Sequence, residues 1–148
     1  CEAAVLAMAG LERVDLVHEV AEILAPHIML PAAAQGALGI QCREDDDDAR
    51  YLLTKVHDKT TALLTKAERA LLHALGGGCH APLGVLAVEE HGTLQLNARV
   101  CSLDGKRIVE TEMEGKLADA ETLGDQAAFY LLSNGAYEII AQLEQDAR

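Results

Sequence analysis

The residue in this chain best placed to do covalent chemistry is Cys79, in the run Gly76-Gly77-Gly78-Cys79-His80-Ala81-Pro82-Leu83-Gly84. Three glycines give the backbone wide conformational freedom and leave open space around the sulfur. Pro82 fixes the direction of exit into an apolar run, Leu83 to Val88. A buried packing cysteine needs no such clearing, so the thiol is a candidate nucleophile. A peptidase-like thiol requires a histidine oriented by a third group. His80 is adjacent, but neighbouring side chains diverge, and His18, His27, His57, His73 and His91 share no motif. A redox thiol requires a resolving partner, and none is near in sequence. A thiol that reacts once with a strong electrophile needs only exposure, loop freedom and room for a bulky adduct. The plain alternative is a helix C-cap with a bystander cysteine, since glycine commonly ends helices. Spacing alone leaves both readings open.

Two further polar residues sit among small apolar neighbours. Arg13 is either a ligand-binding guanidinium or a surface residue on a short helix, and Gln35 either lines a cleft or hydrogen-bonds backbone at a strand edge. The acidic run Glu44 to Asp48 could in principle hold a cation. Adjacent acids do not converge like a coordination shell, so it reads as a solvated helix start complementing the N-terminal dipole. No metal site is expected.

Composition narrows the partners. The net charge is −12, with no basic patch and only four aromatic residues, Tyr51, Phe129, Tyr130 and Tyr137. Nucleic-acid binding rests on phosphate neutralisation, so it is not expected here. A polyanionic small substrate would need arginines from elsewhere. The four cysteines, Cys1, Cys42, Cys79 and Cys101, form no CxxC pair and fit neither a disulfide framework nor a zinc site. No apolar run approaches the roughly 20 residues that span a bilayer, and no signal peptide is evident, so a cytoplasmic protein without membrane contact is expected.

The elements that must position these residues follow from periodicity. Ala3 to Met8 reads as a buried strand, and Leu16, Val17, Val20, Ala21 and Leu24 recur at helical spacing until Pro26. Ile28 to Pro31 is short and extended, and Ala34 to Arg43 reads as a strand passing under a ligand or between domains. Strand, helix and strand in this order predict an α/β layer with parallel pairing. A buried strand needs neighbours on both sides, so the early position of Ala3 to Met8 leads to the expectation that the chain is a fragment, the later part of a longer protein.

A different texture follows. Thr60 or Thr61 caps a helix bearing Ala62, Leu63, Ala67, Ala70, Leu71, Ala74 and Leu75 on one face. Leu83 to Val88 is a strand; Leu94, Leu96, Ala98 and Val100 alternate with polar residues, and Ile108 to Met113 forms a third strand. His91-Gly92 and Asp104-Gly105 mark the turns between them. Two helices separated by Asn134-Gly135 finish the chain. The result is an α+β unit with a three-stranded antiparallel sheet and helices on one face.

These residues resemble a known family, the porphobilinogen deaminases, also called hydroxymethylbilane synthases. Leu30 to Arg43 resembles the family's LPAxGQGAxGIExR segment. Ala67-Glu68-Arg69-Ala70 with Leu75 to Gly84 resembles AERA…LEGGCxxPIG, and Leu6 to Arg13 is similar to LAxAGLxRL. The resemblance implies that Cys79, flanked by Gly77 and Gly78, carries a dipyrromethane cofactor through a thioether. Loss of ammonia from porphobilinogen gives an electrophile that a thiol can capture. Four units are then added to the tethered primer and released as hydroxymethylbilane, a step of porphyrin and heme biosynthesis. Arg13 would bind acetate or propionate carboxylates. Gln35 would lie in the interdomain cleft, and Arg43 would be structural.

The same resemblance implies three domains. Residues 1–36 would end a second, doubly wound, periplasmic-binding-protein-like domain, 37–56 would return to the first, and 57–148 would form the cofactor-carrying α+β domain. The catalytic aspartate and most carboxylate-binding bases would lie upstream. Their absence accounts for an acidic chain in a family handling polycarboxylates, and the fragment alone would be inactive. The whole enzyme would be a monomer acting on porphobilinogen. The remaining alternatives are a cysteine hydrolase using Cys79 and His80, or a binding or regulatory domain with Cys79 unmodified. Three departures bear on the site: Ala34 stands where the family has glycine, Gln41 and Gly76 where it has glutamate. An alanine at position 34 adds a methyl where the backbone needs φ > 0.

Overall fold

The computed structural model describes residues 2–76 and 81–146, apart from the side chains of Glu144 and Asp146. Its ordered architecture lies in the later part of the chain. There, helix α3 (Lys59–Leu75) leads to a meander of β1 (Leu83–Glu90), β2 (Thr93–Cys101) and β3 (Ile108–Lys116), followed by α4 (Ala120–Leu131) and α5 (Tyr137–Asp146). The sheet order is β1-β2-β3, antiparallel throughout. This is the α+β unit expected from the alternation.

The alternation decides which face is buried. Leu94, Leu96, Ala98 and Val100 of β2 point to one side and are nearly inaccessible, joined there by Val85 and Ala87 of β1. The register sets Leu96 between Ala87 and Met113, and Val100 between Leu83 and Val109. Ala67, Leu71 and Leu75 of α3 cover this face together with Leu123, Ala127, Ala128 and Leu131 of α4 and Ile139 of α5. Burying one such leucine or isoleucine contributes about 1.5–3 kcal/mol. Alanine and glycine at the helix crossing let α3 and α4 approach closely. A Cβ on Gly124 would lie 2.3 Å from the Ala67 carbonyl oxygen, so only glycine fits there.

Turn chemistry agrees with the sequence. His91 (φ 53°) and Gly92 (φ 82°) both adopt the left-handed conformation that a two-residue hairpin between Glu90 and Thr93 requires. The α4–α5 junction breaks at Asn134 and Gly135, the latter at φ 110°. One cap differs from expectation. Asp58, rather than Thr60 or Thr61, caps α3: its carboxylate accepts from the Thr61 N–H at 2.7 Å. The acidic run behaves as a helix start, Asp46 accepting from the Ala49 N–H at 3.0 Å ahead of α2 (Asp47–Leu53).

The first 56 residues differ from the sequence expectation. Among the described residues, neither Ala3 to Met8 nor Ala34 to Arg43 forms a strand. The 16–24 helix reduces to a 3-10 turn at Val17–Glu19, and only α1 (Met8–Arg13) and α2 are helical. The expected parallel α/β layer is therefore not formed. The physical reason is partnership: a strand is defined by hydrogen-bonded neighbours, and the only sheet among the described residues is the β1–β3 meander. Many apolar side chains of this region stay exposed, Leu38 by 93% and Ile23 by 71%. A short amphipathic helix without a surface to pack on is marginal in water, which accounts for the lost 16–24 helix.

One piece of this region is docked. Residues 27–34 wrap the free edge of β1. The Arg99 guanidinium donates to the Ile28 and His27 carbonyls at 3.4 and 3.5 Å. The Val85 N–H donates to the Pro31 carbonyl at 2.8 Å. Leu30 sits against Gly84, where a Cβ would come within 2.7 Å of the Leu30 Cβ.

Candidate functional site

Cys79, Gly77, Gly78 and His80 lie outside the described residues. Their two anchors are described. Gly76 ends α3 in the left-handed conformation (φ 75°), its N–H donating to the His73 carbonyl at 3.1 Å. This is the helix C-cap role that glycine fills without steric cost. On the other side, the Pro82 carbonyl accepts from the Cys101 N–H at 3.1 Å, fixing the entry into β1 beside the end of β2. The segment carrying the thiol thus starts and ends on rigid elements.

Gln35 lies in the turn that finishes the docked strap. Its Oε1 accepts from the Ala32 N–H at 3.1 Å, and its own N–H donates to the Ala32 carbonyl at 3.0 Å. The backbone-bonding reading of Gln35 is therefore met by its oxygen. Its side chain is exposed, and its Nε2 donors have no protein partner among the described residues. Ala34, next to it, has φ 60° and Gly36 φ 89°. Position 34 thus needs the conformation that favours glycine, as the departure from the family pattern implied. Arg13 ends α1, is exposed, and has no hydrogen bond or ion pair among the described residues. No hydrogen bond or ion pair joins it to Gln35 or to α3.

Glu68 is the residue that sequence reasoning left without a role. It is 5% exposed and is the buried charged side chain of the core. One carboxylate oxygen accepts from the Ala34 N–H at 2.5 Å and the other from the Ala87 N–H at 2.8 Å. Burial pushes its carboxyl above the ordinary glutamate range, and the Ala87 and Ala34 amides pull in the opposite direction with less effect. A signal was present: Glu68, Leu71 and Leu75 fall on one face of α3, placing a carboxylate in the apolar stripe. Among the described residues, no group of three or more His, Cys, Asp or Glu could hold a metal ion, and no helix is long and apolar enough to cross a membrane.

Comparison with known families decides what the geometry belongs to. Residues 62–133 match the family described as porphobilinogen deaminase, C-terminal domain. Residues 1–51 match porphobilinogen deaminase, dipyromethane cofactor binding domain. The chain belongs to the porphobilinogen deaminase family. The porphobilinogen deaminase of Thermus thermophilus is 46% identical over 140 residues, covering 94% of this chain and 46% of that protein. The enzyme of that name from Syntrophotalea carbinolica is 42% identical over 140 residues, covering 95% of this chain and 44% of its own length. That of Legionella pneumophila is 38% identical over 143 residues, covering 96% and 46%. The chain therefore spans less than half the length of these porphobilinogen deaminases. Cys79, most of α3 and the whole sheet fall within the first match, and Arg13 and Gln35 within the second.

Proposed function

We propose that this chain is the later part of a hydroxymethylbilane synthase, a transferase that joins four porphobilinogen units with release of ammonia. In this reading Cys79 holds a dipyrromethane primer through a thioether. What supports it is the match over residues 62–133, which includes Cys79 in the sequence, beside the described capped end of α3 at Gly76 and the pinned start of β1 at Pro82. A primer tethered to Cys79 would keep its reacting end at a high effective concentration.

The described residues fit a polycarboxylate pyrrole. Arg13 offers an exposed guanidinium with no carboxylate already bound among the described residues, and Gln35 offers free Nε2 donors. Arg13 would hold a carboxylate as a bidentate fork, and Gln35 would donate to a carboxylate or carbonyl oxygen. When bound, dipyrromethane supplies the nucleophilic pyrrole carbon that takes up substrate. The remaining bases and the catalytic aspartate belong, on the family pattern, to the part of the relatives that this chain does not span. Residues 1–36 and 37–56 would then regain their α/β partners there, which accounts for apolar side chains such as Val5, Ile23, Leu38 and Ile40 standing exposed. The 57–148 unit would be the cofactor carrier.

Two measurements test the reading. Protein produced together with the missing half should carry a dipyrrole mass on the Cys79 peptide, lost in Cys79→Ser. The 148-residue chain by itself should form no hydroxymethylbilane from porphobilinogen. Steady turnover by that chain contradicts the division of labour.

A further inference from the structure

We infer that Glu68 is a positioning residue that fixes the Pro31–Gly36 turn, and Gln35 with it, against the helix and strand flanking the Cys79 segment. The inference rests on the proposed function for its purpose, but its geometry stands apart from that reading. Arg99, Val85 and Glu68 fasten the strap at successive points: the His27 and Ile28 carbonyls, the Pro31 carbonyl and the Ala34 N–H. Only the last reaches the residue adjoining Gln35.

The chemistry of the clamp is specific to a carboxylate. Two backbone N–H groups from segments far apart in sequence converge on one side chain, and each takes a separate oxygen. Among the described residues neither donor has another partner, so removing the acceptor orphans them in a buried or half-buried setting. A glutamine accepts at one atom and presents its Nε2 to the other N–H, donor against donor. An aspartate is one methylene shorter and cannot reach both amides without moving α3. Among the described residues, no Lys, Arg or His forms an ion pair with Glu68, which leaves the two amides as its partners.

The clamp also answers a backbone problem. Ala34 is held at φ 60°, a conformation that alanine disfavours. A charge-assisted hydrogen bond at its N–H offsets that preference. With Ala34 so held, the Gln35 Oε1 bond to Ala32 closes the turn and leaves Nε2 as the outward donor. Glu68 lies two helical turns before Gly76, on the helix from which the thiol segment departs. The turn bearing Gln35 and the end of α3 are thereby locked to one body.

Backbone amide exchange of the 148-residue chain, followed by NMR, tests this. In Glu68→Gln at least one of the Ala34 and Ala87 amides should exchange about tenfold faster or more, the scale of a lost hydrogen bond to a charged group. In Glu68→Ala both should do so. The Gln35 side-chain amide signals should shift in both variants, while the Leu96 amide of the central strand keeps its rate. A uniform rise across all core amides, or unchanged Ala34 and Ala87 rates, overturns the inference. Should the variants not fold, the unsubstituted chain decides. The Ala34 amide should exchange about tenfold slower than those of Ala33 and Gly36, which have no such acceptor; equal rates overturn the inference. An unmodified Cys79 in active enzyme would defeat the primer reading and leave these exchange rates as they are.

Discussion

Gly124→Ala sets two effects of opposite sign against each other. By intrinsic propensity, replacing a helix-interior glycine by alanine stabilises by about 1 kcal/mol. Packing points the other way. The new Cβ would lie 2.3 Å from the Ala67 carbonyl oxygen, 2.9 Å from the Ala70 Cβ and 3.0 Å from the Leu71 nitrogen. Two of these are backbone atoms inside α3 and cannot rotate aside. Restoring contact distance requires α4 to retreat by roughly 1 Å, a gap that forfeits up to half the dispersion energy along the seam. Overpacking a tight core costs typically about 1–3 kcal/mol, and a backbone clash belongs at or above the top of that range. The net expectation is a loss of about 2 kcal/mol, equivalent to a fall in Tm of about 8–16 °C for a unit of this size. Gly115→Ala is the control. Its Cβ would meet only Leu123 side-chain carbons, the nearest at 3.2 Å, and these can shift. Thermal and urea unfolding of the three proteins should rank Gly124→Ala well below the other two. A Gly124→Ala chain as stable as the parent would refute the packing of α3 on α4.

Ala34→Gly should raise stability by up to about 1 kcal/mol, since glycine adopts φ 60° without the penalty alanine meets there. The urea midpoint reads this, and a lower midpoint contradicts the left-handed turn. The pH dependence of stability should carry two opposed contributions. Asp58, whose carboxyl the Thr61 N–H holds below the ordinary aspartate range, adds stability above that range that fades as pH falls through its lowered value. Glu68, whose carboxyl burial pushes up, contributes in the other sense: its share is complete below the ordinary glutamate range and declines as pH rises through its raised value. The stability of the parent relative to Glu68→Gln should therefore fall as pH rises above the ordinary glutamate range and through the raised value. Parallel urea profiles of the two proteins over that window contradict the assignment.

The later part of the fold was legible because each local signal agreed with the next. Leu94 to Val100 alternates with period two, the α3 stripe repeats at helical spacing, and His91-Gly92 and Asn134-Gly135 punctuate where the chain turns. The earlier part carries apolar patterns of equal strength that form no layer. The patterns at 3–8 and 34–43 read as strands, yet neither pairs with a neighbour among the described residues. Periodicity reports a buried face but not what buries it.

The site was legible in the same uneven way. The need for positive φ at position 34 followed from a motif glycine, and Ala34 adopts it. Glu68 stood inside a quoted motif, yet its role depends on Ala34 and Ala87, 34 and 19 residues away, and no local spacing encodes that convergence. Arg13 is exposed at the end of α1, and its expected ligand contact rests on family resemblance.

Cys79 is proposed as the anchor of a covalent pyrrole primer. Intact mass and peptide mapping of this chain, produced together with the portion of the enzyme it does not span, test it most directly. A dipyrromethane adduct is expected on the peptide containing Cys79, and Cys79→Ser should lose it along with hydroxymethylbilane formation. Full activity with an unmodified Cys79 contradicts it.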